Sequence, residues 1–140
     1  MVTENQILLV KSSWSFIVMN PVAAGQLFYE RLFEVAPGVR HLFKGDIKHQ
    51  ARKLINMVTL VVTKIDKLDD IIEEVKLLGQ RHNRYGAEPA HYQVVGECLL
   101  WTLEKGLGDK WNEETREAWT KIYGILADAM IRNQSEAAAA

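Results

Sequence analysis

The chain has 140 residues, of which 48% are apolar and 25% charged, enough for one domain with its own core. A net charge of −1 gives no electrostatic case for nucleic acid or an acidic membrane surface, and the single cysteine, Cys98, excludes an intrachain disulfide or a thiolate metal cage. The N-terminus carries no basic segment leading into an apolar core, and the apolar run at 57–62 is far short of the roughly 20 residues of a membrane helix, so a soluble cytoplasmic protein without a secretory signal is expected.

In chain order the sequence predicts helices. Thr3 followed by Gln6 forms a capping-box pattern, and Ile7, Val10, Trp14 and Ile17 then recur at helical spacing. Asn20-Pro21 ends this helix and opens the next, with Asn20 as the expected cap and Pro21 at a first-turn position that needs no N–H. The second helix carries Ala24, Leu27, Phe28 and Leu32, with Tyr29 beside the stripe, and should stop near Ala36-Pro37-Gly38. Residues 39–43 predict one or two tight helical turns, and Lys44-Gly45-Asp46 a turn in which Asp46 caps a long helix. That helix carries the wide stripe Ile47, Ala51, Leu54, Ile55, Val58, Val62 and Ile65, with Gln50 inside it.

Asp66-Lys67-Leu68-Asp69 reads as a further cap, with acids at the positive end of a helix. Leu68, Ile71, Ile72, Val75, Leu78 and His82 form the face of that helix, and residues 86–89 break the chain. Val94, Val95, Cys98, Leu99, Thr102 and Leu103 continue a fifth helix to about 106–108. Asn112 caps the last one, whose stripe is Ala118, Ile122, Ile125, Leu126, Ala129 and Met130. Residues 135–140 form a small-residue tail expected to fray. No segment shows period-two alternation. The expected class is all-α, a single domain over 1–140, with six main helices and one or two short ones; the shortest loops make crossed packing as reasonable as an up-and-down bundle.

Three polar groups stand on or beside apolar helix faces: Tyr29, Gln50 and His82. Each has a plain structural reading, as a tyrosine with its hydroxyl outward, a boundary amide and a satisfied histidine. Together, on three helices, they are also candidates for one pocket, because a neutral imidazole facing apolar surroundings can ligate a metal or a metal-bearing cofactor. Other chemistry finds little support. His41, His49 and His91 are scattered, there is no His-Glu-x-x-His, and no phosphate-cradling glycine loop or nucleophile elbow occurs.

The run Trp14, Leu27-Phe28-Tyr29, Leu32-Phe33, Pro37, Leu42-Phe43, Gln50-x-x-x-Leu54, Leu78-Gly79-x-x-His82 and Tyr92-x-x-Val95-Gly96 resembles the globins. More narrowly it is similar to bacterial single-domain globins related to the haem domain of flavohaemoglobins, and more distantly to neuroglobin. The similarity runs from about Gln6 to Arg132. It implies a globin fold around haem b (iron protoporphyrin IX), with His82 as proximal ligand of the iron, Phe43 against the porphyrin face and Leu78 lining the cofactor site. Gln50 would stand on the distal side with Leu54 a turn later, and Tyr29 would aim its hydroxyl at a bound diatomic gas. Arg81 would pair with a haem propionate. Tyr92 would lie near His82, joined in the family to a glutamate on the last helix. Here that position holds Gln134, with Glu136 two residues on, which argues against a strongly donating, peroxidase-like proximal side.

Two donors, a phenol and an amide, at roughly 1 kcal/mol each would slow oxygen escape by well over tenfold. The implied function is reversible, high-affinity oxygen binding through ferrous iron, with CO and NO as further ligands. The alternative is a nitric oxide dioxygenase served by a separate reductase, since the residues present hold no flavin or nicotinamide site. His49, about 100° around the helix from Gln50, should point away from the iron, leaving its sixth position open or water-occupied.

Overall fold

The computed structural model describes residues 2–43, 46–84 and 89–139, and within them every side chain except those of 68, 82–84, 89 and 132–139. It is 91% helical and contains no strand among the described residues, which makes the chain all-α as its periodicity predicts. Six α-helices follow one another: α1 (Glu4–Ile17), α2 (Pro21–Val35), α3 (Ile47–Thr63), α4 (Ile72–Arg84), α5 (Pro89–Leu107) and α6 (Glu113–Ala139). Three 3₁₀ segments join them, at Pro37–Leu42, Ile65–Ile71 and Gly108–Lys110.

Helix entries follow the sequence where a side chain can reach a free N–H. Thr3 and Gln6 form the complete capping box. Asp46 accepts from the Lys48 N–H at 3.0 Å and Asn112 from the Thr115 N–H at 2.9 Å. Two expected caps are corrected. Asn20 precedes α2 but makes no side-chain cap bond, so Pro21, which needs no partner for its nitrogen, opens that helix alone. The acids at 66–70 do not cap α4; they lie in the 3₁₀ segment, where Lys67 breaks the helical path at φ −140°, ψ 56° and delays α4 to Ile72. The turn at 44–45 and the break at 86–88 lie outside the described residues.

The packing is crossed. The axes of α1 and α2 turn through 100° at their junction. α2 packs on α3 and α5, α4 packs on α6, and α1 lies across α6. The α2–α3 crossing is close because a Cβ at Gly25 would stand 2.6 Å from the Ala51 Cβ. Trp14 and Trp119 sit in the core with ring centroids 5.8 Å apart, and both indoles are partnered: Nε1 of Trp14 donates to Thr59 Oγ1 and Nε1 of Trp119 to Ser13 Oγ. No single helix among the described residues is long and apolar enough to cross a membrane.

The buried residues fall into two groups. The larger joins α1, α5 and α6 with the ends of α3 and α4, through Val10, Trp14, Val75, Tyr92, Trp119 and Met130. The smaller joins α2, the first 3₁₀ segment, the start of α3 and part of α5, through Phe28, Tyr29, Leu32, Val39, Ala51 and Cys98. Among the described residues α3 and α4 have little contact except through the 3₁₀ segment between them. The start of α3 thus belongs to the smaller group, and the rest of α3 with α4 to the larger.

Candidate functional site

Tyr29 projects from the middle of α2 into the smaller group and is 6% exposed. Three rings hold it: Phe28 edge-on at 5.0 Å, Phe43 edge-on at 5.3 Å and Phe33 at 5.9 Å. Burial pushes its phenol up to about 12, so the hydroxyl keeps its proton and remains a donor at any physiological pH.

Phe43 is set by the 3₁₀ segment that precedes it. Its backbone is extended, Nη1 of Arg40 donates to its carbonyl oxygen at 3.0 Å, and the same guanidinium lies over the Phe33 ring at 5.0 Å. Phe33 and Arg40 are thus two supports to which the sequence assigned no site role: Phe33 lies outside the stripe of its helix, and a surface arginine carries no periodic signal.

On α3, Gln50 is half-buried and stands between Ile47 and Leu54, one position from the Ala51 that meets Gly25. Leu54 packs on the smaller group with Phe43, Val94, Val95 and Leu99, all only partly buried. His49 and Lys53 are both exposed, as the helical angle predicts for His49. A cleft of about 420 Å³ opens to solvent beside Tyr29 and Phe33, with Arg40 and Lys48 on its walls.

On the other side, α4 presents Val75 and Gly79 to the interior, and Leu78 packs half-buried against the larger group. Arg81 is exposed. His82 lies in α4, and its side chain is outside the described residues, as are those of Gln134 and Glu136. Tyr92, on α5, is buried in the larger group, and Tyr123 of α6 donates its hydroxyl to the Tyr92 carbonyl oxygen at 2.6 Å. Burial also pushes the Tyr92 phenol up to about 12. The fold thus gathers Tyr29, Phe43 and Leu54 in one cluster, with Gln50 on the same helix as Leu54, and puts Leu78 and Tyr92 in the other.

Among the described residues no three His, Cys, Asp or Glu side chains converge, so the geometry offers no bare-metal cage there. What it offers is a set of apolar side chains left partly uncovered at Phe43, Leu54, Val94, Val95 and Leu99. A flat apolar ligand needs such a surface, and a neutral phenol stands beside it.

A crossed all-α fold with an apolar, phenol-bearing cluster where α2, α3 and α5 meet defines a class of helical proteins suited to a small apolar ligand. The comparisons narrow it. The globin family model matches residues 26–130. A globin-like protein of Aquifex aeolicus is 31% identical over 131 residues, spanning 94% of this chain and 93% of that one. The flavohemoprotein of Bacillus subtilis is 33% identical over 134 residues, and the chain spans about a third (34%) of its length. An engineered carbene transferase, made from a provisionally assigned nitric oxide dioxygenase of Rhodothermus marinus, superposes with a TM-score of 0.89 at 26% identity, over 99% of this chain and 97% of that one. The chain belongs to the globin family, a family of haem proteins. Its cofactor, as a globin's, is haem, and the apolar surface around Phe43 and Leu54 fits a flat macrocycle.

Proposed function

We propose that this globin binds dioxygen reversibly and tightly on haem b, with His82 as the proximal ligand and Tyr29 and Gln50 as distal donors. When bound, haem supplies the ferrous iron that holds the gas; the protein supplies everything that decides how long the gas stays. Phe43 would pack against the porphyrin face, Leu54 would close over the gas, Leu78 would line the cofactor site, and Arg81, exposed near the end of α4, would pair with a propionate. Tyr29 donates a hydrogen bond to the held gas, and Gln50 donates a second from its amide. Both donations favour dioxygen over carbon monoxide, which is less polar in the pocket.

The observation that carries this reading is the buried phenol of Tyr29, held by the Phe28, Phe33 and Phe43 rings in one cluster with Leu54. The test is to load the chain with haemin, reduce it and record the absorption spectrum with and without oxygen. A Soret band that shifts on oxygenation is expected. Absence of haem uptake overturns the reading. A low-spin, six-coordinate ferrous spectrum without added ligand would contradict an open sixth position.

The flavohemoprotein relatives and the name of the Rhodothermus neighbour favour a second reading, nitric oxide dioxygenation, in which NO, O₂ and one electron give nitrate. Turnover then needs an electron donor beyond these 140 residues. Sustained NO consumption with a generic flavin reductase, against a single stoichiometric burst without one, separates the enzyme from the binder.

A further inference from the structure

Gly79 lies on the buried side of α4, where that helix crosses α6. A Cβ there would stand 2.9 Å from the Met130 carbonyl oxygen, 3.0 Å from its Cα and 3.2 Å from its Cβ. The two nearest atoms are backbone, so no side-chain rotation relieves the clash and the helices themselves would have to separate. Alanine would make the better helix at this interior position, so the glycine serves the close approach and not the helix.

The approach matters because of what α4 rests on. Among the described residues its main packing partner is α6, with the 3₁₀ segment beneath its start, and it has little contact with α3. The depth at which Gly79 seats on Met130 therefore fixes the height of the helix. His82 follows three residues later, about 4.5 Å along the axis and about 60° around it. A separation of a few tenths of an ångström at the crossing is passed to the His82 backbone with little attenuation.

We infer that Gly79 is a positioning residue for the proximal ligand: its contact with Met130 sets where His82 meets the iron. This rests on the reading of His82 as that ligand. Gly25 provides the matched control, because it seats α2 on Ala51 at the opposite crossing, with a Cβ clash of 2.6 Å, on the side of Tyr29 and Gln50.

The experiment compares unsubstituted, Gly79→Ala and Gly25→Ala proteins, all haem-loaded and reduced without ligand. Resonance Raman reads the iron–histidine stretching band, transfer to a haem-scavenging apoprotein reads retention, and urea titration of the apoproteins reads stability. Gly79→Ala is expected to shift the band and speed haem loss roughly tenfold, as loss of an orienting contact does at metal sites. Gly25→Ala, destabilised in urea, is expected to keep the band in place. An unchanged band in Gly79→Ala, or an equal shift in Gly25→Ala, overturns the inference. Should Gly79→Ala fail to fold, Met130→Gly removes the one side-chain atom at the contact, the Cβ 3.2 Å from that position, and lets the crossing shift; it should move the band, and an unmoved band again overturns the role. No haem uptake by the unsubstituted chain would sink the proposed function and this inference with it, whereas uptake with an insensitive band sinks the role of Gly79 alone.

Discussion

Replacing Tyr29 by phenylalanine isolates one hydrogen bond. The ring is held at 5.0, 5.3 and 5.9 Å by Phe28, Phe43 and Phe33, and phenylalanine keeps every one of those contacts. The apolar cluster around it is thus unchanged, and only the hydroxyl goes. A neutral donor to a partly charged acceptor nets about 1–2 kcal/mol. Oxygen dissociation should therefore quicken roughly 5- to 30-fold. Carbon monoxide, with less charge to accept the bond, should change by less than about half that energy. The assay is stopped-flow displacement of oxygen by carbon monoxide, run beside Gln50→Leu and the double variant, whose departure from additivity measures any coupling between the two donors. An oxygen rate within twofold of the unsubstituted value would refute the distal role of Tyr29. Equal acceleration for both gases would also refute it, because that pattern means easier escape through the cleft and not a lost donor.

Three further outcomes follow from the same geometry. His82→Ala should abolish stable haem retention, read as loss of the Soret band on gel filtration, with recovery when imidazole is supplied; full retention without imidazole would exclude His82 as the ligand. Trp119→Ala removes an indole 2% exposed at the centre of the larger group and should cost about 3–5 kcal/mol, a large share of a domain's stability, read as the urea midpoint of the apoprotein. Stability should be flat to about pH 9 as far as the tyrosines govern it, and should fall above it. Tyr29 and Tyr92 hold their protons to about 12, against an ordinary 10.0 in the unfolded chain, and Tyr123 is raised as well. Between those values the unfolded state has released protons the native state still binds, so stability declines as pH rises from 10 to 12. Urea midpoints that rise across that interval would have the wrong sign.

The helices were legible by their apolar stripes, and three of them, α1, α3 and α6, by a capping residue as well. Thr3, Asp46 and Asn112 cap as their residue types predict. Asp66 to Asp70 misled because acids favour the start of a 3₁₀ segment as readily as that of an α-helix, and nothing in the residue types signals the break at Lys67. Tyr29 and Gln50 could be singled out as polar groups on or beside apolar stripes, and Tyr29 proves to share one cluster with Phe43 and Leu54. Their pairing as donors came from the resemblance, not from periodicity. Phe33, Arg40, Gly25 and Gly79 were illegible as parts of the site. A glycine in a sequence reads as a stop or a turn, whereas these two lie inside helices and matter only through the atoms that a neighbouring helix brings against them.

The division of the core bears on how such a protein can be tuned. The distal candidates Tyr29, Phe43 and Leu54 pack in the smaller group, with α2 seated on α3 at Gly25 and Ala51. α4, which carries the proximal candidate His82, seats on α6 at Gly79 and Met130, in the larger group with Tyr92. Leu99 packs against both, and α3 and α5 contribute to each. Changes at Tyr29 or Phe43, away from the seam where Phe28 and Leu54 meet Trp14 and Ile55, should leave the Gly79–Met130 crossing nearly unperturbed, since distant sites without shared partners add independently. If Tyr29 and Gln50 are the donors proposed above, gas release can then vary with little change in haem retention. Substitution at Leu99 is where that independence should break down, with gas release and haem retention moving together.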